Sequence, residues 1–245
     1  MTHSARKHFK DMLNLSEMQN QMQAAFHVKP DEELFIDGKL RIPSEIPIKP
    51  FTFEDYFNGK KRNSVMDDVR SLWLRNYYIS QGMFAFVSWR WVKPLTEFVG
   101  KKKVLEVMAG RGILAYALRE LGVDIIATDD FSFARASDNS PWDTPVTEVL
   151  EMDALEAIEE YGSQIEYLLV SWPYPNMALK TIRKMYEVNP NAQVIFIGEF
   201  TPANICSNFE KHFIEIDNPE FDLVSASYEH WEHVNDRIYL GKYTP

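Results

Sequence analysis

Apolar positions along the chain change their period near residue 100. Over 9–26 they fall at Phe9, Met12, Leu13, Leu15, Met18, Met22 and Phe26, mostly three or four apart, and this spacing predicts an amphipathic helix that ends before Pro30. Over 41–51 the prolines Pro43, Pro47 and Pro50 each fix φ and disfavour helix at the preceding residue, so this stretch is expected to run extended as a strap. Helical spacing returns over 64–91.

Beyond Gly100 short β-branched runs take over, at 104–107, 123–128, 146–150, 165–171 and 194–198. Between them lie helical segments at 113–121, 154–161 and 177–188, and a last helix is expected to open at Thr201-Pro202, where Thr can cap and Pro suits the first turn. Strand and helix in alternation predict an α/β fold, a Rossmann-like, mostly parallel sheet with right-handed crossovers and flanking helices. Two more candidate strands, 212–217 and 237–243, are separated by an acidic, aromatic stretch read as an irregular loop. As an antiparallel pair they would close a seven-stranded sheet. The organisation expected is a helical, aromatic-rich N-terminal cap or substrate region over 1–100 and a Rossmann-like domain over 101–245.

Composition narrows the class. With 245 residues, 45% hydrophobic and 25% charged, the chain is long enough to bury about 70–75% of the surface its unfolded form exposes, which excludes a mini-protein or a mostly disordered chain. Its net charge of -10 is split unevenly: residues 1–103 carry +5 and residues 104–245 carry -15. A long nucleic-acid duplex is therefore not expected across the acidic half, and any nucleic-acid contact must be local. Twelve Phe, Tyr and Trp fall within 51–98, a density that calls for tight packing on the second half or for a pocket wall there. Cys206 is the single cysteine, so no internal disulfide forms and no thiolate zinc cage is available. With no secretory pattern at Met1 to Lys10 and no apolar run long enough for a bilayer, a cytoplasmic location and no membrane partner are expected.

The strongest chemical signal is Val104-Leu105-Glu106-Val107-Met108-Ala109-Gly110-Arg111-Gly112, followed by the helical Ile113 to Leu118. A buried strand that runs into glycines and then a helix start brings backbone N–H groups against a ligand. Asp129 follows Gly112 by seventeen residues at the end of the next strand, beside Asp130, where a carboxylate can accept from ribose hydroxyls. The run from Gly110 to Ala115 also satisfies the dinucleotide pattern, which leaves a nicotinamide cofactor open. Glu106 weighs against it: a carboxylate there suits an ammonium group and would repel a pyrophosphate. S-adenosyl-L-methionine, with an amino-acid head, an adenosine and no phosphate, satisfies both acids.

Residues 103–199 resemble a class I S-adenosylmethionine-dependent methyltransferase, whose first motif is acid-x-Gly-x-Gly-x-Gly; Glu106, Gly110 and Gly112 match, and Met108 replaces the first glycine. The resemblance implies that Met108, Ala109 and the glycines form the cofactor turn. It further implies that Asp129 holds the ribose and that Asp153, followed by Ala154, accepts from the adenine amino group. A second motif, Ser171-Trp172-Pro173-Tyr174, resembles the [DNS]-P-P-[YFW] signature of amino-group methyltransferases, with Trp172 in place of the first proline. By that likeness Ser171 Oγ and the Trp172 carbonyl would orient the N–H bonds of an amino or amide acceptor while the Tyr174 ring stacks on it.

The acceptor stays open among a small amine, a protein amide and a local nucleic-acid segment. Two other readings remain beside the methyltransferase: an NAD(P)-dependent Rossmann oxidoreductase, and a catalytically silent nucleoside-binding or scaffold protein. No metal is expected, because His230 and His233, even if three apart on a helix face, show no third ligand nearby. Glu199, at the end of the fifth strand, is a candidate for binding an amine or taking a proton, and Cys206 is expected to be a small core residue in the last crossover helix.

Overall fold

The computed structural model describes residues 26–61, 64–136, 142 and 144–245. The amphipathic helix expected over 9–26 lies almost wholly outside the described residues.

A seven-stranded sheet organises the molecule. Its strands are β3 (Val104–Val107), β4 (Ile125–Asp129), β5 (Leu150–Glu151), β6 (Tyr167–Ser171), β7 (Gln193–Gly198), β8 (Phe213–Glu215) and β9 (Arg237–Tyr243), in the order β5-β4-β3-β6-β7-β9-β8. The first five run parallel, β9 is antiparallel to β7, and β8 is antiparallel to β9, so the terminal pair closes the sheet as its period predicts. A separate two-residue hairpin, β1 (Phe35–Ile36) with β2 (Lys39–Leu40), precedes it. Because side chains alternate across a strand, each strand feeds two cores. On one face Val104, Ile125, Leu169, Ile195 and Leu240 pack together, and on the other Leu105, Val107, Leu168, Val170 and Phe196.

The first core is shared with the N-terminal part. Helix α1 (Phe53–Phe57) is followed by α2 (Val65–Ser80), which opens with a capping box: Ser64 Oγ accepts from the Asp67 amide, and the Asp67 carboxylate accepts from the Ser64 amide. Helix α3 (Trp89–Val99) then lies along the sheet. The spacing predicts one helical stretch over 64–91, but the helix breaks between Ser80 and Trp89. Gly82 sits at φ 89°, and a Cβ there would lie 2.6 Å from Arg111 Cδ, so the chain turns where only glycine fits. The proline strap forms neither helix nor strand and bends at 44–45 and 47–48, and it docks through backbone bonds from Trp89 N to Pro43 O at 2.9 Å and from Arg90 N to Ser44 O at 3.0 Å. Glu229, buried, accepts from the Ile46 amide at 3.1 Å and the Ser88 hydroxyl at 2.6 Å, fastening strap and helix to the C-terminal part. Tyr78, Phe86, Trp91 and Trp231 are fully buried in this seam, which accounts for much of the aromatic excess.

The remaining helices are α4 (Ile113–Glu120), α5 (Ser132–Ala136), α6 (Ala154–Tyr161), α7 (Pro175–Val188), α8 (Phe209–His212) and α9 (Pro219–Ser227). Two expectations are overturned. No helix opens at Thr201-Pro202; the chain makes a turn there, with the Asn204 and Ile205 amides both donating to Thr201 O, and only the four-residue α8 follows. The cause is Asn204, whose side chain accepts from the Glu199 amide at 2.9 Å and donates to Pro173 O at 3.3 Å, competing with helical bonding. Cys206 accordingly lies in irregular chain, half-buried against the second core. The segment between β8 and β9 is irregular over 228–236 but not throughout, since α9 occupies its earlier part with Asn218 as N-cap, its Oδ1 accepting from the Glu220 amide at 2.9 Å. Among the described residues no helix is long and apolar enough to cross a membrane.

Candidate functional site

Strand β3 pairs with β4 on one side and β6 on the other, so the chain leaves it first in one direction and later in the opposite one. At such a switch point the carboxyl ends of the strands flank a crevice free of crossing loops, where open α/β sheets bind ligands. A cavity of about 600 Å³ opens at this place. It is walled by Glu106 within β3 and Met108, Ala109 and Gly110 after it, by Asp129 at the end of β4 and Asp130 after it, and by Asp153 and Ala154 after β5; Ser171 at the end of β6 and Trp172, Pro173 and Tyr174 after it complete the wall.

Sequence motifs from four strand ends thus meet in one cavity. Of the residues expected there, Gly112 alone does not face the cavity. At φ 74° it caps α4, and a Cβ on it would lie 2.6 Å from Val149 Cγ2, so its bareness serves packing against 147–149 and not a ligand. Gly110 does face the cavity, at φ 56° with open space where a Cβ would be. Met108, which stands where the family pattern has glycine, adopts the glycine-like φ of 56°, so the turn is kept at a cost of about 1–2 kcal/mol in backbone strain.

Glu106 is the unusual group. It is buried to 2% exposure, and its Oε2 has no hydrogen-bond partner. Burial pushes its pKa up to about 8, with Asp129 adding to the rise while Arg119 and the Ala115 amide oppose it. Asp129 is better supplied. Its Oδ2 accepts from the Gly110 amide at 2.7 Å and its Oδ1 from the Phe131 amide at 2.6 Å, yet burial still raises its pKa. Each of those oxygens keeps a lone pair for a further donor. Asp153 caps α6, accepting from the Leu155 amide at 2.8 Å through Oδ1.

The Ser171–Tyr174 turn is held from three sides. Trp172 takes φ 47°; its amide donates to Ile197 O at 2.8 Å, and its indole N–H donates to the buried Asp236 at 3.1 Å. Asn204, 1% exposed, holds the Pro173 carbonyl and itself lines the cavity. Tyr174 is half-exposed, its ring edge-on to Phe133 at 5.8 Å.

Sequence reasoning missed Asn204, Arg75, Phe84, Phe133 and Trp142, all of which line the cavity. Asn204 lay in a stretch read as helix, Arg75 and Phe84 in one read as continuous helix, and the other two carried no signal. Glu199 does not line the cavity: its Oε1 accepts from the Asn235 amide at 2.8 Å and its Oε2 from the Thr201 hydroxyl at 3.3 Å. His230 lies in irregular chain and His233 in a turn, neither on a helix, with His230 Nδ1 against Trp231 O at 3.0 Å. Asp68 of α2 brings a carboxylate beside Glu232 and His233, a third donor that sequence spacing did not reveal; such groupings are common without an ion.

No family model matches the chain, and no curated protein matches it. Solved structures of similar architecture include a point mutant of MtNAS in complex with S-adenosylmethionine, 10% identical over 74% of this chain and 80% of that one, with a TM-score of 0.41. Another is a TehB-like SAM-dependent methyltransferase from Corynebacterium glutamicum, 8% identical over 71% and 98% of the two chains, with a TM-score of 0.40. A third is 1,6-didemethyltoxoflavin-N1-methyltransferase from Burkholderia thailandensis with bound 1,6-didemethyltoxoflavin and S-adenosylhomocysteine, 12% identical over 63% and 78%, with a TM-score of 0.37. Likeness at this level assigns no chemistry, which has to come from the cavity itself.

Proposed function

We propose that the protein is a methyltransferase that takes its methyl group from S-adenosylmethionine and delivers it to an amino or amide nitrogen. The observation that carries this reading is the Glu106 carboxyl, buried in the cavity wall with an oxygen that no described residue satisfies. An unpaired buried carboxyl costs stability unless a ligand completes it, and an ammonium group is the complement. A dinucleotide would instead leave Glu106 without a cation and bring a pyrophosphate towards Asp129 and Asp130, with like charges at close range.

The residues present fit the cofactor. Glu106 would hold the amino group, the bare Gly110 bend would lie under the chain between the two ends, Asp129 would accept from the ribose, and Asp153 Oδ2 from the adenine amino group. When bound, the cofactor supplies a sulfonium methyl as electrophile. The protein's own part is to orient the acceptor: Ser171 Oγ, which forms no hydrogen bond among the described residues, can accept an N–H of the incoming nitrogen and aim its lone pair. Tyr174 offers a ring face, and the Trp172-Pro173 backbone beside it is fixed by Asp236 and Asn204, so the geometry is set before the acceptor arrives.

Calorimetry with S-adenosylhomocysteine tests the reading. Binding at micromolar to submillimolar ligand is expected, together with at least tenfold weaker binding for Glu106→Gln. Folded protein that gives no heat with this ligand but enhances NADH fluorescence would replace the reading with an oxidoreductase. Labelled-methyl transfer to any acceptor separates an enzyme from a silent nucleoside-binding protein.

A further inference from the structure

The cavity has a second wall that none of the sequence motifs supplies. Phe133 and Trp142 stack at 5.0 Å and 11°, Phe84 meets both edge-on at 5.8 and 5.5 Å, and Tyr174 meets Phe133 edge-on. These rings contact one another and form an aromatic wall, on which Phe133 and Tyr174 stay exposed, at 41% and 47%. Among the described residues only two cations line the cavity, Arg75 and Arg111. Arg111 is spent on the fold, with Nε donating to Thr144 O and Nη1 to Gln81 O, both at 2.8 Å, and its guanidinium lying over the Phe35 ring.

Arg75, on α2, is placed otherwise. Its guanidinium carbon stands 5.8 Å from the centre of the Trp172 ring, its Nε is buried without a partner, and it forms no hydrogen bond or ion pair among the described residues. A guanidinium within cation–π range of an indole keeps its N–H donors for another partner. Its buried Nε–H, left unpaired, is costly, and an oxyanion that accepts from it and from the neighbouring Nη–H offsets that cost. The carboxylates of the cavity stand on the strand-end wall built by Glu106, Asp129, Asp130 and Asp153, whereas Arg75 projects from α2 beside the Trp172 ring.

We propose that Arg75 binds an oxyanion carried by the methyl acceptor, which is thus a small planar aromatic acid whose ring packs against the exposed rings of Phe133 and Tyr174. This rests on the methyltransferase reading and adds to it the class of acceptor. A carboxylate and a phosphate offer Arg75 the same chemistry, and the probes distinguish them.

The experiment is calorimetry on protein saturated with S-adenosylhomocysteine, using two matched pairs: 2-aminobenzoate against 2-aminobenzamide, and adenosine 5′-monophosphate against adenosine. In at least one pair the anion should bind tenfold or more tightly than its neutral partner, and that pair identifies the oxyanion. Arg75→Gln should erase the preference while S-adenosylhomocysteine affinity stays within twofold, and Arg75→Lys should keep only part of it, because an ammonium cannot pair in fork geometry. Equal or absent binding within both pairs, or a preference that survives Arg75→Gln, would overturn the proposal. Failure of S-adenosylhomocysteine itself to bind is read in the first titration and counts against the cofactor; the same pairs titrated without it then decide Arg75 by themselves.

Discussion

The Trp172 indole and the Tyr228 hydroxyl donate to the same oxygen of Asp236, at 3.1 and 2.7 Å, so one buried carboxylate ties the turn after β6 to the segment that leads into β9. Both donors lose their partner if Asp236 is removed. At about 1–1.5 kcal/mol for each orphaned group, Asp236→Ala should destabilise the protein by about 2–3 kcal/mol. Urea unfolding measures this directly, and a loss below about 0.5 kcal/mol would mean that the turn is held by Asn204 and Ile197 alone.

Glu106 gives the ligand-free protein a pH dependence of unusual sign. Its pKa is about 8 in the folded chain against an ordinary value of 4.5, so between those limits the folded state binds more protons than the unfolded state. Stability contributed by the protonated form is therefore present at low pH and falls as pH rises from about 4.5 to about 8, at up to about 1.4 kcal/mol per unit. Burial raises Asp129 and Asp236 as well, which adds slopes of the same sign. Urea unfolding at pH 5, 6, 7 and 8 should show this decline, and Glu106→Gln should flatten it. If the variant and the parent lose stability in parallel, the slope belongs to other groups. A cationic ligand should reverse the trend, because pairing with the ammonium expels the proton and affinity then climbs with pH over the same interval.

Asp153 carries two roles that can be separated. As N-cap of α6 it accepts from the Leu155 amide at 2.8 Å, so Asp153→Ala should cost about 1 kcal/mol of stability, and Asp153→Asn, a comparable cap, only a few tenths. Thermal unfolding of the two variants checks the order. Should the alanine variant be as stable as the parent, the cap contributes nothing and Asp153 is present for the cavity alone.

The sheet was legible because its signals are local. Runs of valine, leucine and isoleucine mark β3, β6 and β7, and each site acid lies within two residues of the carboxyl end of its strand, so naming the strand places Glu106, Asp129 and Asp153 at the crevice. What escaped depends on contacts distant in sequence. The break after Ser80 is dictated by Arg111 crowding Gly82, and the missing helix at Thr201 by Asn204 reaching Pro173. Neither pairing can be read from periodicity. Helix α9 is a different case: Asn218-Pro219-Glu220 is a cap, an N1 proline and a first-turn acid in succession, a local signal outweighed by the surrounding aromatics. The second wall of the cavity was hidden for the first reason, since Arg75, Phe84 and Phe133 come from separate segments and meet only in the folded chain.

The two glycines of the turn after β3 look alike in sequence and should answer differently to alanine. At Gly112, φ 74° and a Cβ 2.6 Å from Val149 Cγ2 combine, so Gly112→Ala carries both left-handed strain and overpacking, about 2–4 kcal/mol in all. At Gly110 the φ of 56° costs about 1–2 kcal/mol, but the added methyl meets only the open cavity. Gly110→Ala should thus fold, with a modest loss in urea unfolding, and yet bind S-adenosylhomocysteine at least tenfold more weakly, because the methyl occupies space over which the ligand must lie. A Gly110→Ala protein with parental affinity would show that the ligand does not cross this bend, and would remove the turn from the site.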